Sequence, residues 1–382
     1  MRRKGSRGLF ALVLLLMFAI TTLWTTHAQK TTELKDIFKS DFLIGVALNR
    51  RQFTEEDKRG LPIIQAHFNS ISPENQLKWQ YVHPSAGKYD FTGADQFVLF
   101  GEKHQMVVIG HTLVWHRQTP DWVFRDDAGK TVDRDTLLAR MKEHIHTVVG
   151  RYKGRIRGWD VVNEAVEADG SMRQSPWMKI IGEDYVAKAF EFAHEADPNA
   201  ELYYNDFSLE NAPKRAGAVR LIENLKKLGL PIAGIGLQGH NRLDWPSIAE
   251  QDATISTFAK LGLRVNITEL DLDVLPVVSE DIGPGLKLTD ELQAKLNPFR
   301  SGLTTSVEAE QGKRYADLFN VYLKYRNVID RVTFWGVTDG DSWLNNWPVR
   351  GRTNYPLLFD RKGEPKAAFA AVVKASQDFE RK

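Results

Sequence analysis

The 382-residue chain contains no cysteine. That excludes disulfides and lipid attachment through an N-terminal cysteine, so the stability of an exported chain would have to come from a packed core. Charge of one sign is also lacking, since 51 basic residues face 49 acidic ones. Arg2, Arg3, Lys4 and Arg7 all fall in the first eight residues, and without them the balance is 47 to 49. A near-neutral surface makes no electrostatic case for nucleic acid or an anionic membrane, and it suits an uncharged polymer as partner. Linkers, low-complexity tracts and a second-domain boundary are missing too.

What is present starts with that basic segment, followed directly by an apolar run from Leu9 to Ile20, the pattern of a secretory signal peptide. Thr26-His27-Ala28 offers small residues at the cleavage positions. Residues 1–28 are therefore read as a leader and 29–382 as one domain of 354 residues, long enough to bury a sizeable core. An uncleaved anchor is the alternative, disfavoured because the run is short for a membrane span. Export to the periplasm or beyond, with no membrane attachment after cleavage, is the expectation. The chain also has ten tryptophans, and indole faces are natural platforms for sugar rings as well as core residues.

Beyond the leader, strand-like runs occur at 42–48, 66–72, 106–116, 157–164, 201–206, 232–240, 263–271 and 331–337. Helical periodicity falls between them, at 94–104, 133–149, 185–196, 212–228, 247–260 and 308–325, and Pro365 is expected to open a last helix. Eight strands alternating with helices predict an α/β fold, a single closed (β/α)8 TIM barrel. The segment 275–305 is too long for an ordinary connection and is read as an elaborated loop after strand seven, over the barrel mouth.

Two stretches carry the chemistry. Arg157-Gly158-Trp159-Asp160-Val161-Val162-Asn163-Glu164 and Leu263-Arg264-Val265-Asn266-Ile267-Thr268-Glu269-Leu270-Asp271 each end a β-branched run on a carboxylate. Two acids at the carboxyl ends of barrel strands are the apparatus for breaking a glycosidic bond with retention, one as nucleophile and the other as acid and then base. From the pattern alone, ordinary strand-end acids in salt bridges remain the alternative. Period two places Glu269 with Asp271, and Gln238 with His240, on shared strand faces. His240 between two carboxylates could orient the nucleophile, although a lone histidine there reads as a satisfied core residue.

Three other patterns carry less. Gly234-Ile235-Gly236-Leu237-Gln238-Gly239 matches a dinucleotide fingerprint, but it lies late in the chain and inside a strand instead of opening a helix. His111 and His116 are five apart in an extended run, without the spacing of a zinc helix, so no metal is expected. Asn266-Ile267-Thr268 is a formal glycosylation sequon in a strand expected to be buried.

Taken together, these motifs resemble the family 10 glycoside hydrolases, the barrel endo-1,4-β-xylanases. The likeness covers the whole mature chain: Trp159-Asp160-Val161-Val162-Asn163-Glu164 is similar to the family's acid/base motif, and Ile267-Thr268-Glu269-Leu270-Asp271 to its nucleophile motif. The resemblance implies that Glu74, Asn75 and Lys78 bind sugars on the non-reducing side and that His111 and Trp115 line the pocket where the bond breaks. Asn163 would hold a 2-hydroxyl, and Gln238 would contact the sugar near the nucleophile. His240 and Asp271 would support Glu269, while Trp335 and Trp343 would wall the cleft and exclude the hydroxymethyl group of glucose. Asn205, at the end of the fifth strand, would be a further supporting residue, and Asn345-Asn346-Trp347-Pro348 also looks like the family. No cofactor is implied. The expectation is a monomeric hydrolase of xylan and xylo-oligosaccharides, against two rivals: a barrel hydrolase of β-glucans, or a barrel that only binds polysaccharide.

Overall fold

The computed structural model describes residues 33–278 and 289–381. The leader assigned to 1–28 and the middle of the long connection, 279–288, lie outside the described residues. Among the described residues there are nine parallel strands: β1 Leu43–Leu48, β2 Ser70–Pro73, β3 Val107–Val114, β4 Gly158–Asn163, β5 Glu201–Asp206, β6 Gly234–Leu237, β7 His240–Arg242, β8 Arg264–Asp273 and β9 Ile329–Phe334. Eight close a ring, β1 through β6 in order, then β8 and β9 back to β1, with β6–β8 and β1–β9 pairings sealing it. The short β7 pairs with the extension of β8, His240 beside Asp271. The fold is the (β/α)8 barrel expected.

The elements follow from their sequences. β1, Leu-Ile-Gly-Val-Ala-Leu, is almost wholly buried, as a strand covered on both faces must be. Its Ile44, Val46 and Leu48 alternate with smaller residues, and each such side chain removed from water contributes about 1.5–3 kcal/mol. Asp133 accepts from the Thr136 amide and starts the helix Arg134–Arg151. Ser247 and Glu250 form a reciprocal cap that starts Ile248–Lys260.

Four expectations need correction. The run at 66–72 is divided: the helix Gly60–His67 extends to His67, and β2 begins only at Ser70. An apolar face formed by Ile63 and Ile64 prolongs that helix, and periodicity cannot separate it from a short buried strand. The run at 232–240 is broken because Gly239 adopts φ +76°, so Gln238 and His240 do not share a face by simple alternation. Glu269 lies inside β8 and not at its end, because pairing with β7 carries that strand on to Asp273. The last helix begins at Ala367, while Pro365 pairs with Phe359 in an isolated bridge.

The described part of the long connection contains a helix, Asp290–Leu296, started by Thr289. It is tied to the segment after β9, where the Thr353 amide donates to Asn297 and the Tyr355 hydroxyl to the Phe299 carbonyl, both at 2.8 Å.

Candidate active site

At the carboxyl end of the ring lies a cavity of about 710 Å³. Every residue named from sequence as catalytic or sugar-binding lines it, including Glu164 and Glu269. Asn205 and Asp271 stand directly behind, bonded to the residues that do. Trp115, Trp245, Trp335, Trp343 and Trp347 also face the cavity, whereas Trp79, Trp159 and Trp177 are buried in the core. The tryptophans thus divide between the cavity wall and packing.

Glu269 is set by β8. The β8–β9 register slips between Ile267 and Leu270, so Thr268 and Glu269, adjacent in sequence, both reach the barrel interior. Thr268 donates to the Asn205 oxygen at 2.6 Å, which turns the Asn205 amide nitrogen towards Glu269 and the Asn163 oxygen, each at 2.9 Å. Gly236 makes room, since a Cβ there would stand 2.1 Å from the Asn205 oxygen. The role of that glycine in the apparent fingerprint is packing.

On the other side of Glu269, the two ring nitrogens of His240 bridge Glu269 at 3.1 Å and Asp271 at 2.9 Å. Asp271 in turn accepts from the Trp343 indole at 2.8 Å. Burial pushes His240 down, but Asp271 and Glu269 outweigh it and bring the imidazole to about 10. For Glu269, burial pushes the carboxyl up, and the hydrogen bond from His240, the field of His111 and the Asn205 amide hold it below its ordinary value.

Glu164 is held differently. It follows the last residue of β4 with φ +60°, a left-handed backbone rare for a side chain of this kind. Its carboxylate accepts from the Trp115 indole at 2.9 Å, from Gln238 at 3.1 Å and from Asn163 at 3.3 Å. Asn163 and Asn205 therefore form a continuous link between the two glutamates.

The wall beyond is polar. Lys78 donates to Asn75 at 3.2 Å and lies 4.9 Å from the centre of the Trp115 ring. Burial brings Lys78 down to about 8 against the attraction of Glu269, Glu74 and Glu164, and it lifts Glu74 to about 7 against Lys78. His111 is fixed by Asp160 at 2.9 Å and sits edge-on to Trp335. Asn266 of the formal sequon is fully buried.

Several site residues escape a sequence reading. Gln118 donates to Asn75 at 3.1 Å from an irregular loop, and Thr268 was masked by strict alternation. Asp160 stands in the quoted motif, but only the β3–β4 pairing brings it to His111. Arg242 and Trp245 line the cavity from a segment with no motif of its own.

A parallel barrel with two glutamates facing one cleft at its carboxyl end, among indoles and amides, has the construction of a glycoside hydrolase. Residues 33–375 match the family described as glycosyl hydrolase family 10. The chain is 45% identical over 347 residues to endo-1,4-beta-xylanase A of Xylanibacter ruminicola, covering 91% of this chain and 94% of that one. It is 42% identical over 369 residues to the beta-1,4-xylanase of Dictyoglomus thermophilum, covering 96% and 97%. An endoxylanase retrieved from a sugarcane soil metagenome superposes with a TM-score of 0.85 at 48% identity, over 90% of this chain and 99% of that one. This chain belongs to glycosyl hydrolase family 10.

Proposed function

We propose that the protein is an exported endo-1,4-β-xylanase that cleaves internal bonds of xylan with retention, Glu269 acting as nucleophile and Glu164 as acid and then base. The observation that carries this reading is the pair of glutamates in one cleft, joined through Asn163 and Asn205 yet provided with different partners. Glu269 is surrounded by donors that favour its carboxylate. In the first step a Glu269 oxygen bonds to the anomeric carbon as the glycosidic C–O bond breaks, and Glu164 gives its proton to the departing oxygen. In the second, Glu164 takes a proton from water, the water oxygen attacks the anomeric carbon, and the bond to Glu269 breaks, regenerating both groups.

The neighbouring residues serve those steps. Asn163 and Gln238 present amides to the reacting sugar, and Lys78, Asn75 and Glu74 bind hydroxyls on the non-reducing side. The indoles of Trp335 and Trp343 support the ring and leave little room for a hydroxymethyl group. Export rests on the segment 1–28, and fractionating expressing cells tests it separately. The deciding assay for activity is reducing-sugar release from xylan against cellulose. Release from xylan is expected; release chiefly from cellulose or β-glucan would replace the substrate, and release from neither would leave a binding protein.

A further inference from the structure

Residue 164 needs a left-handed backbone, and something has to hold it. Period two along β5 sends Asn205 towards the cleft and its neighbours Tyr204 and Asp206 to the opposite face, where the chain leaves Glu164. The Ala165 amide donates to the Tyr204 hydroxyl at 3.0 Å, and the Val166 amide to Asp206 at 3.4 Å. The Tyr204 hydroxyl itself donates to Asp206. The other Asp206 oxygen accepts from Lys214 at 2.8 Å and from the Phe207 amide at 2.9 Å, so the fully buried carboxylate has four donors. Lys214 is equally buried and covers the Phe207 ring. From the other side Arg173 donates to the Glu164 carbonyl at 2.8 Å, and the Glu164 amide reaches the Asn205 carbonyl at 2.9 Å.

We infer that Asp206, with Tyr204 and paired with Lys214, is a positioning device for Glu164: it fixes the turn that aims this carboxylate at the departing oxygen, and it serves proton transfer without touching substrate. The inference rests on the acid/base assignment of Glu164. A buried ion pair is a poor source of net stability, whereas a tyrosine hydroxyl and the fixed carboxylate that holds it, taking the successive Ala165 and Val166 amides between them, define one turn geometry.

The test uses Asp206→Asn and Tyr204→Phe in the full enzyme, with xylan and an aryl xylobioside whose phenol leaves unprotonated. Misaiming a proton donor should cost Asp206→Asn about 10²-fold on xylan, and Tyr204→Phe roughly 10-fold. The first, aryl-releasing step should change far less in both, and azide, which needs no base, should accelerate turnover of the activated substrate. If Asp206→Asn strands Lys214 and does not fold, Tyr204→Phe, which keeps the ion pair, decides alone. Equal losses on both substrates without azide acceleration, or no loss in Tyr204→Phe, would overturn the inference. Glu164→Ala in parallel separates the two claims: if it lacks the leaving-group dependence, the assignment of Glu164 fails; if it shows it and Tyr204→Phe does not, only the positioning role fails.

Discussion

The two glutamates occupy two kinds of backbone. Glu269 sits within β8 at the register slip towards β9, its amide bonded to the Gln238 carbonyl at 2.7 Å, and its oxygens meet a histidine and an amide that are themselves held by Asp271 and Thr268. Glu164 stands just past β4 in a left-handed turn held by side chains from other elements, and its carboxylate meets an indole and two amides. On the proposed assignment, the nucleophile gains from a place inside a strand and from partners that are themselves held. On the same assignment, the acid/base stands clear of the sheet, and its rigidity is supplied by its surroundings.

The sharpest way to break this comparison is to remove each carboxylate. Glu269→Ala should abolish turnover of every substrate, a loss on the order of 10⁴-fold or more. Glu164→Ala should lose about 10²- to 10⁴-fold on xylan, yet still release an acidic phenol from an aryl xylobioside. Its glycosyl-enzyme should accumulate on Glu269, visible by mass spectrometry, and azide should yield a β-glycosyl azide. An α-azide, or an adduct elsewhere, would reverse the roles.

Asn205→Ala attacks the link. It removes one donor from Glu269 and one from Asn163, so a loss of about 10²-fold is expected on good and poor leaving groups alike. A loss confined to poor leaving groups would place Asn205 with the Glu164 half instead.

His240 sharpens the Glu269 half through pH. Its imidazole is near 6.5 when unfolded and about 10 in the fold. A raised value means that its stabilisation is complete below pH 6.5 and is lost as pH rises through 10. The melting-temperature gap between wild type and His240→Gln should therefore be widest at pH 6 and narrow towards pH 10, a window set by the His240 shift. A gap that does not change with pH would mean the imidazole is uncharged between its two carboxylates.

The smallest effect expected is on specificity. Trp343→Ala removes the indole that bonds Asp271 and packs 5.0 Å from His240. Xylan cleavage should fall while the ratio of kcat/KM on aryl xylobioside to that on aryl cellobioside drops several-fold, within the range one hydrophobic group can supply. An unchanged ratio would take Trp343 out of the specificity wall.

Much of this arrangement is legible in the chain. The alternation of apolar runs and helical periods carries the barrel, because a buried parallel strand must be apolar and its helix amphipathic whatever their neighbours do. The two motifs ending on Glu164 and Glu269, and the tryptophans of the late loops, mark the cleft. Local pattern misleads where period two breaks. At Thr268 a register slip turns two adjacent side chains inward; at Gly239 a left-handed residue restarts the alternation; at Ser70 a helix borrows the residues of a strand.

By itself, then, the sequence determined the ring of strands, the residues at its carboxyl end and the family they resemble, since each depends on local pattern and residue type. Only the tertiary structure decided which residue holds which. Asn163 meets Asn205, Asp160 meets His111, and Tyr204 with Asp206 reaches the turn after Glu164 because parallel strands bring together residues some forty to fifty positions apart. The direction of a hydrogen bond at such a meeting is set by bulges, a left-handed residue and the closure of the ring, none of which has a periodic signature in the chain.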